Sequence, residues 1–265
     1  MTAAIRPYIE FAKVAFSREA TYRFEVFTSI GSLLVRVYLF RMVWSALYFH
    51  NAGIRALTLE EAITYSTVAL LMSLVMDIDQ TRLLVSKLED GSIATDFMKP
   101  IIVPLYFFSD GTGEVSFHAV TIIPSLLLAL LIVHIQVPSP LVLVIFFLSF
   151  FLGYLVGLLM NFVLNCIAFW TLEIQAMQLI VTWITDLLGG EVIPLVFFPP
   201  FIQSFIFVLP FAAMYSTPLL IYVGVIGPDE YVRVMLVQAM WIVIFAIAAV
   251  FMWRFGARRV VVQGG

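Results

Sequence analysis

The sequence predicts an all-α polytopic membrane protein, and three features of its composition support this prediction. Hydrophobic residues make up 63% of the 265 positions, and the mean hydropathy is +1.07. Charged residues make up 12%, whereas roughly a quarter of an ordinary soluble chain is charged. No lysine or arginine occurs between Lys99 and Arg233. A soluble surface of that length needs cations throughout, so a water-soluble fold is excluded.

Six apolar segments are candidates for membrane-spanning helices. A helix that rises 1.5 Å per residue needs about 20 apolar residues to cross a hydrocarbon core of about 30 Å. We place the six spans at residues 24–49, 61–78, 117–135, 141–170, 176–188 and 234–253. They leave little sequence for a domain outside the membrane. The whole chain, residues 1–265, is therefore predicted to be a single transmembrane domain.

The apolar stretch that follows the fifth span, residues 192–225, cannot form one straight helix. Five prolines interrupt it, namely Pro194, Pro199, Pro200, Pro210 and Pro218. An internal proline removes a backbone hydrogen bond and clashes with the preceding turn. We predict two short re-entrant helices, whose irregular backbone must be buried in protein or line a cavity. A seventh span, or two further spans, is the alternative.

Residues 1–23 are predicted to form an amphipathic helix in the bilayer interface. If they are helical, the apolar and polar side chains lie on opposite stripes, which is typical of a helix that lies on a membrane. The apolar stripe contains Ile5, Tyr8, Ile9, Ala12, Ala15 and Phe16, and the polar stripe contains Arg6, Glu10, Lys13 and Ser17. We place this helix flat on the cytoplasmic face.

The distribution of cations predicts the orientation. Loops on the cytoplasmic side carry an excess of lysine and arginine. Six crossings place three cationic groups on one side: Arg6, Lys13, Arg18 and Arg23 before the first span, Arg82, Lys87 and Lys99 after the second, and Arg254, Arg258 and Arg259 after the last. The opposite loops contain Arg55 and Arg233. Both termini are therefore expected in the cytoplasm, and an odd number of crossings would contradict this distribution.

The longest segment between spans that is not apolar throughout, residues 79–104, is amphipathic. Leu83, Leu84, Leu88, Ile93 and Phe97 alternate with charged side chains, and a glycine at position 91 divides the segment into two short helical pieces. One interpretation is a solvated loop whose apolar side rests on the lipid headgroups. The other is a docking element that inserts into a groove on a cytoplasmic protein, because apolar anchors flanked by charge are typical of such contacts.

Ionisable residues within the apolar segments are candidates for functional groups. A charge at the centre of a spanning helix costs roughly 2.5–3.5 kcal/mol on insertion scales. Arg36 lies about 18 Å along the first span, and Arg41 projects from a different face of the same helix. We expect Arg36 either to pair with an interior acid or to line a polar path. Asp186 and Glu191 flank Gly189-Gly190, where Glu191 belongs to an outer gate or to an ordinary acidic loop.

No catalytic or metal-binding motif occurs in the sequence. It contains no GxxxxGK[ST] phosphate loop, no HExxH and no GxSxG. His50, His118 and His134 are far apart, and Cys166 is the single cysteine. We therefore predict no catalytic residue, no metal site and no cofactor in this chain, and the dispersed basic residues indicate no nucleic-acid binding. The residues considered so far leave two function classes open: a secondary transporter, in which broken helices are common, and a structural membrane subunit.

Three stretches resemble a known family of membrane proteins. Residues 91–100 read GSIATDFMKP and are similar to the glycine, short helix and basic-proline ending that follow the second span in ABC-2 type permeases. The resemblance is greatest to the branch whose export permeases usually come as pairs. Residues 44–48, WSALY, resemble the aromatic end of that branch's first span, and residues 190–224 resemble its exit segment, which is rich in glycine and proline.

The resemblance implies roles for two segments. Residues 91–100 would hold the coupling helix, and residues 192–225 would form a re-entrant outer gate. The residues expected to receive motion from a separate ATPase are Leu88, Glu89, Asp90, Gly91, Ile93, Asp96, Phe97, Lys99 and Pro100. The residues expected at the outer gate and pathway are Glu191, Pro194, Phe197, Phe198, Pro199, Pro210 and Phe211.

The resemblance also implies partners and a location. It predicts the permease subunit of an ATP-binding cassette exporter in the bacterial cytoplasmic (inner) membrane. Two cytoplasmic nucleotide-binding ATPase subunits would bind ATP and Mg, since the chain has no phosphate loop of its own. A second permease, paralogous or identical, would complete the pathway, and we favour the paralogue. The regular aromatic lining expected for long glycans is not recognised, so the cargo stays open.

Overall fold

The computed structural model describes residues 2–21, 23–50, 56–76, 79, 81–171 and 174–263, and their regular structure is entirely helical. The all-α prediction is confirmed for this part of the chain. The helices are α1 (Thr2–Glu19), α2 (Arg23–His50), α3 (Leu59–Met76), α4 (Arg82–Glu89), α5 (Ile93–Phe97), α6 (Val103–Ala129), α7 (Pro140–Cys166), α8 (Gln175–Leu188), α9 (Pro200–Ile206), α10 (Pro210–Met214), α11 (Ser216–Tyr222) and α12 (Tyr231–Gln263). Arg55, one of the two cations predicted for the opposite side, lies outside the described residues, as does the end of the predicted second span.

Five described helical segments are long and apolar enough to cross a membrane, which makes the chain a multi-pass membrane protein. They are Val26–Phe49, Leu59–Met76, Val103–Ala129, Pro140–Phe169 and Pro228–Val260. The predicted fifth span corresponds to α8, which has 14 residues and is short for a crossing. The count of six therefore stays a prediction.

The third span begins at Val103 rather than at residue 117. Polar residues in this part of α6 lower its hydropathy, so the sequence did not predict it as part of the span. One of them, Asp110, is bonded by α1, which runs alongside α6. Arg18 donates two hydrogen bonds to the carboxylate of Asp110, at 3.3 and 3.1 Å. The backbone N–H of Ile102 donates to the hydroxyl of Tyr8 at 2.8 Å. The N-terminal helix is thus confirmed as a helix, and it is attached to α6; its location flat on the membrane stays a prediction.

Helices α7 and α12 lie side by side and run in the same direction. Gln238, near the start of α12, bonds Ser149 in the first half of α7, and the ring of Trp253 stacks on that of Phe162 near the end of α7. The chain between them, residues 167–230, therefore starts at one end of the bundle and finishes at the other. We call these the α4 end, where α4 and α5 contact the end of α7, and the opposite end.

Residues 189–227, here called the broken segment, contain three short helices, α9, α10 and α11, where two were predicted. Pro200 and Pro210 are the first residues of α9 and α10, where a missing N–H leaves no hydrogen bond unmade. Met214 lies against Gly153 in the middle of α7, and Tyr222 packs on Phe146 nearer the start of α7. Helix α11 therefore runs back toward the opposite end of the bundle.

We expect Gly113→Ala to loosen α1 from α6. A Cβ atom at Gly113 would lie 2.1 Å from the carbonyl oxygen of Ala12, so the two backbones must separate. The expected loss is about 1–3 kcal/mol, typical of overpacking in a close contact. Thermal stability in detergent, followed by fluorescence-detected size-exclusion chromatography, measures it.

Gly31→Ala is the matched control, since an added Cβ at this helical position of α2 meets nothing within 4 Å. It should leave the melting temperature unchanged or raise it slightly, because alanine favours helix over glycine. Equal melting temperatures for Gly113→Ala and Gly31→Ala would contradict the close packing of α1 on α6.

Candidate functional site

Helices α4 and α5 are joined by a tight turn at Gly91. This residue has φ +74°, a left-handed conformation that glycine adopts without strain. The carboxylate of Asp90 accepts a hydrogen bond from the backbone N–H of Ser92 at 2.8 Å, and hydrogen bonding from the Ser92 side chain and then from its backbone lowers the pKa of Asp90. The predicted division of the 79–104 segment at Gly91 is therefore present, and the turn reverses the chain between two short helices.

A buried ion pair holds this turn together. Asp96 of α5 is fully buried and accepts hydrogen bonds from Lys87 of α4 at 2.5 Å and from Lys99 at 2.6 Å. Burial raises the pKa of Asp96, but the hydrogen bonds from the two lysines outweigh it and hold the pKa below its usual value. Removing one partner of such a group leaves an uncompensated charge, so this ion pair fixes α4 relative to α5.

The apolar side chains that the sequence singled out in the 79–104 segment face the protein's own helices. Leu84 and Ile93 are buried, and Leu88 and Phe97 are half-buried on the same clusters. The ring of Phe97 lies 6.0 Å from that of Trp253 on α12. Trp253 also contacts the rings of Phe107, Phe162 and Phe169. Leu88, Ile93 and Phe97 therefore attach the turn to α6, α7 and α12.

The side chains exposed on residues 89–102 differ from the apolar anchors that the sequence pattern indicated. The exposed charged residues are Glu89, Asp90 and Lys99, and Gly91 and Pro100 are exposed as well. The large apolar residues exposed there are Met98, 86% exposed, and Ile102, 64% exposed, and the sequence argument did not single out either. An α5 of five residues is too short for a periodic pattern to tell an outward side chain from an inward one.

A cavity of about 580 Å³ lies beside α4, between the end of α3, the second half of α7 and α8. Arg82, Val85, Ser86 and Glu89 of α4 form one wall. Asp186 of α8, which the sequence singled out as an ionisable residue beside Gly189-Gly190, lines this cavity. One face of α4 thus borders the cavity while another packs on the bundle.

A polar network crosses the wall of this cavity at Asp79. Asn165 of α7 donates to both carboxylate oxygens of Asp79, at 2.8 and 3.0 Å, and to the hydroxyl of Thr81 at 2.7 Å. Gln178 of α8 donates to Asp79 at 3.3 Å and to the Asn165 side-chain oxygen at 2.7 Å. Burial raises the pKa of Asp79, although the bonds from Asn165 and Thr81 oppose the rise. This network, which the sequence did not reveal, links α7, α8 and the start of α4.

The predicted gate residues all lie in the broken segment. The ring of Phe197 is 5.2 Å from that of Trp44 on α2, and Gln203 donates to the carbonyl oxygens of Val196 and Phe198 at 3.0 and 2.7 Å. Glu191 is 8% exposed. Pro194 and Pro199 precede the short helical turns, Pro210 begins α10, and Phe198 and Phe211 are half-buried.

The carbonyl oxygens of the broken segment are bonded by neighbouring helices. Tyr65 of α3 donates its hydroxyl to Gly190 O at 2.7 Å. Trp241 of α12 donates to Val208 O at 2.8 Å. Gln238 of α12, which is fully buried, donates to Ala213 O at 2.8 Å. Helices α3 and α12 therefore hold the broken segment against the bundle.

The two intramembrane arginines differ in their surroundings. Arg41 donates to the carbonyl oxygen of Ile132, just past the end of α6, at 2.5 Å. Arg36 is exposed on α2, and none of the described acidic side chains lies within ion-pair distance of it. The expected pairing of Arg36 with an interior acid is therefore not found among the described residues.

One group of described residues could hold a metal ion. Glu19, Glu114 and His118 each place one ligand atom within 4.8 Å of the others. Arg18 already bonds Glu19 at 3.3 Å and lies 4.0 Å from Glu114. The carboxylates therefore have a cationic partner within the protein, and we interpret the group as part of the α1–α6 contact.

Comparison with known protein families supports the resemblance noted in the sequence. A family profile of ABC-2 family transporter proteins matches residues 34–264, which contain both α4–α5 and the broken segment. Comparison with curated proteins and with solved structures finds no match for the chain. Because the matched region covers most of the sequence, the chain belongs to the family of ABC-2 type transporter proteins, which are membrane permeases of ABC transporters.

Proposed function

We propose that this chain is the permease subunit of an ATP-driven exporter, and that separate nucleotide-binding ATPase subunits drive it through the exposed surface of residues 89–102. One observation supports this proposal above the others: α4 borders the cavity with one face and packs on the bundle with another. The residue that follows α5, Met98, is exposed. A force applied at Met98 therefore acts on the wall of the cavity.

The contacts of the turn suggest how the movement is transmitted. Asp96 and its two lysines make α4 and α5 move as one unit. Phe97 and Trp253 connect this unit to α12. Rigid elements with dense contacts transmit displacement, so closure of two ATP-bound partner subunits would shift α4 and α12 together and alter access to the cavity. ATP and Mg would be bound by those partners, and this chain would contribute no catalytic group.

A second permease, paralogous or identical, would complete the pathway. Many large apolar side chains of α2 and α12 are exposed in the single chain, and the exposed surface of α2 carries Arg36. A cation at this depth is costly against lipid and is expected to face protein or water. Contact with a second permease along α2 would shield Arg36 from lipid, so we place α2 at the pathway between two permeases.

Six crossings and an outer gate complete the proposal. Because α7 and α12 run in the same direction, the chain between them must cross the bundle once, and α8 with the following residues is the available segment. With the α4 end in the cytoplasm of a bacterial inner membrane, both termini are cytoplasmic, as the cations predict. Residues 192–225 would then enter from the outer side and return to it, forming a re-entrant gate.

Single-cysteine labelling tests the number of crossings. Lys13→Cys, Asp90→Cys and Arg258→Cys should react with a membrane-impermeant maleimide only after the cytoplasmic side is exposed, and Asp229→Cys should react from outside in intact cells. All four positions are exposed, and the native Cys166 is fully buried, so its background reaction is low. If the cysteines at positions 13 and 258 react from opposite sides, the chain makes an odd number of crossings and the proposal of six is wrong.

Phe197→Ala tests the outer gate. An aromatic pair is worth about 0.5–1.5 kcal/mol, so losing the contact with Trp44 should raise the population of the open gate by up to about tenfold. Leakage of a small fluorescent dye from proteoliposomes without ATP measures this population. Phe201→Ala is the control, because Phe201 is 76% exposed on the neighbouring α9. A leak equal to that of the control would contradict a gate at Phe197.

Met98→Asp tests the ATPase contact. A charge introduced at the centre of a contact should weaken assembly with the ATPase subunits by at least about tenfold, which corresponds to 1.4 kcal/mol. Phosphate release by the complex purified through this chain measures it, with thermal stability as a second readout. Val137→Asp, at an exposed apolar residue of the opposite end, is the control.

The two readouts separate assembly from folding. Met98→Asp should lower phosphate release without changing the melting temperature, because Met98 is 86% exposed. Phe97→Asp should lower both, because its ring packs near Trp253. Full phosphate release by Met98→Asp would show that the partner binds elsewhere.

A further inference from the structure

We propose that the cavity beside α4 binds the cargo and that the cargo is an amphiphilic organic cation. This inference rests on the proposed function, because it identifies the chemical class that such a permease would carry. It is argued from the charge, the wall chemistry, the size and the position of the cavity.

The charges that line the cavity do not balance. Asp79, Glu89 and Asp186 contribute three carboxylates, and Arg82 contributes one guanidinium. Among the described residues, none of these four groups lies in an ion pair. With these carboxylates ionised, the described lining carries two excess negative charges. A cleft lined by an excess of one sign of charge raises the local concentration of ligands of the opposite sign, which favours a cationic ligand.

The innermost carboxylate is held in place by neutral groups. Asp79 receives its hydrogen bonds from the amides of Asn165 and Gln178 and from Thr81. Amide and hydroxyl donors orient a carboxylate without cancelling its charge. The negative charge of Asp79 is therefore available to a ligand, in contrast to Asp96, which two lysines neutralise.

The rest of the lining is about half neutral polar and half apolar, which indicates a ligand with an apolar part as well as a polar one. Met76, Met160, Leu164, Val181 and Met214 all face the cavity. Methionine is flexible and polarisable, and it accommodates apolar ligands of different shapes. The described lining contains a single aromatic side chain, that of Tyr215, so the aromatic platforms on which sugars stack are scarce there. An anion would meet the excess negative charge, and a neutral glycan would leave that charge unmatched.

The size and position of the cavity fit the same ligand. Its volume of about 580 Å³ lies within the range of about 300–1,000 Å³ that is typical of small-molecule sites. One wall is α4, the element that the proposed ATPase contact would move, and another is α8, which leads to the broken segment. A cation bound there would touch both moving parts.

Two dyes with one scaffold test the charge preference. Rhodamine 123 and fluorescein share a xanthene core, but the first is cationic and the second anionic at neutral pH. Binding to the purified full chain in zwitterionic nanodiscs is measured by fluorescence anisotropy, with empty nanodiscs as the baseline. We expect rhodamine 123 to bind at least about tenfold more tightly than fluorescein, since a like charge in a binding site costs several kcal/mol. Equal affinity for the two dyes, or tighter fluorescein binding, would overturn the proposal.

Charge-neutralising variants place the binding in this cavity. Asp186→Asn and Asp79→Asn should each weaken rhodamine 123 binding by about tenfold relative to wild type. Asp79→Asn changes a hydrogen-bond network and could misfold the protein. Asp186 lines the cavity without a described hydrogen bond, so Asp186→Asn tests the charge without disturbing such a network. Glu60→Gln is the control, because Glu60 bonds Gln136 near the start of α3, outside the cavity lining. Unchanged binding by Asp186→Asn would overturn the assignment to this cavity.

This measurement needs no ATPase, so it is separable from the test of the proposed function. Loss of phosphate release in Met98→Asp together with equal binding of both dyes would refute only the cargo class. Selective rhodamine 123 binding together with unchanged phosphate release in Met98→Asp would refute the ATPase contact and leave the cation site standing.

Discussion

The structure depends on one constraint: backbone polar groups at membrane depth must be bonded within the protein, because no water is available to them. In the broken segment the regular helix is interrupted, and side chains of other helices donate hydrogen bonds to several of its carbonyl oxygens. Gln238 and Trp241 of α12 bond Ala213 and Val208, and Tyr65 of α3 bonds Gly190. These donors belong to long helices, so the shape of the broken segment is set by the bundle rather than by its own short helices.

The two ends of the bundle use different chemistry for the same purpose. The opposite end holds none of the described ion pairs, and there the indole N–H of Trp44 donates to Ser66 at 2.8 Å. The α4 end relies on charge, with Asp96 between two lysines and Arg18 on Asp110. Charged groups at the α4 end avoid the cost of a charge at the centre of a membrane. A ring cluster around Trp253 joins this polar end to the apolar bundle.

The sequence was sufficient for the fold class, for five spans and for the proline-broken segment, because each depends on local composition. It failed where a result depends on distant contacts. The early start of α6 is stabilised by Arg18, which bonds a residue 92 positions away. The network at Asp79 joins residues 86 and 99 positions apart. The inward direction of Phe97 depends on Trp253, and no period within a five-residue helix indicates which side α12 occupies.

In the proposed function, α8 connects the cavity to the outer gate. Its 14 residues span about 21 Å at the standard helical rise, less than the hydrocarbon core, so in the proposed crossing the broken segment would supply the remaining depth. Gln178, near its start, bonds Asp79 beside α4, and Gly190, just past its end, is bonded by Tyr65. A helix held at both ends moves as a rod. In the proposed function, displacement of α4 would therefore reach Glu191 and the proposed gate residues through α8.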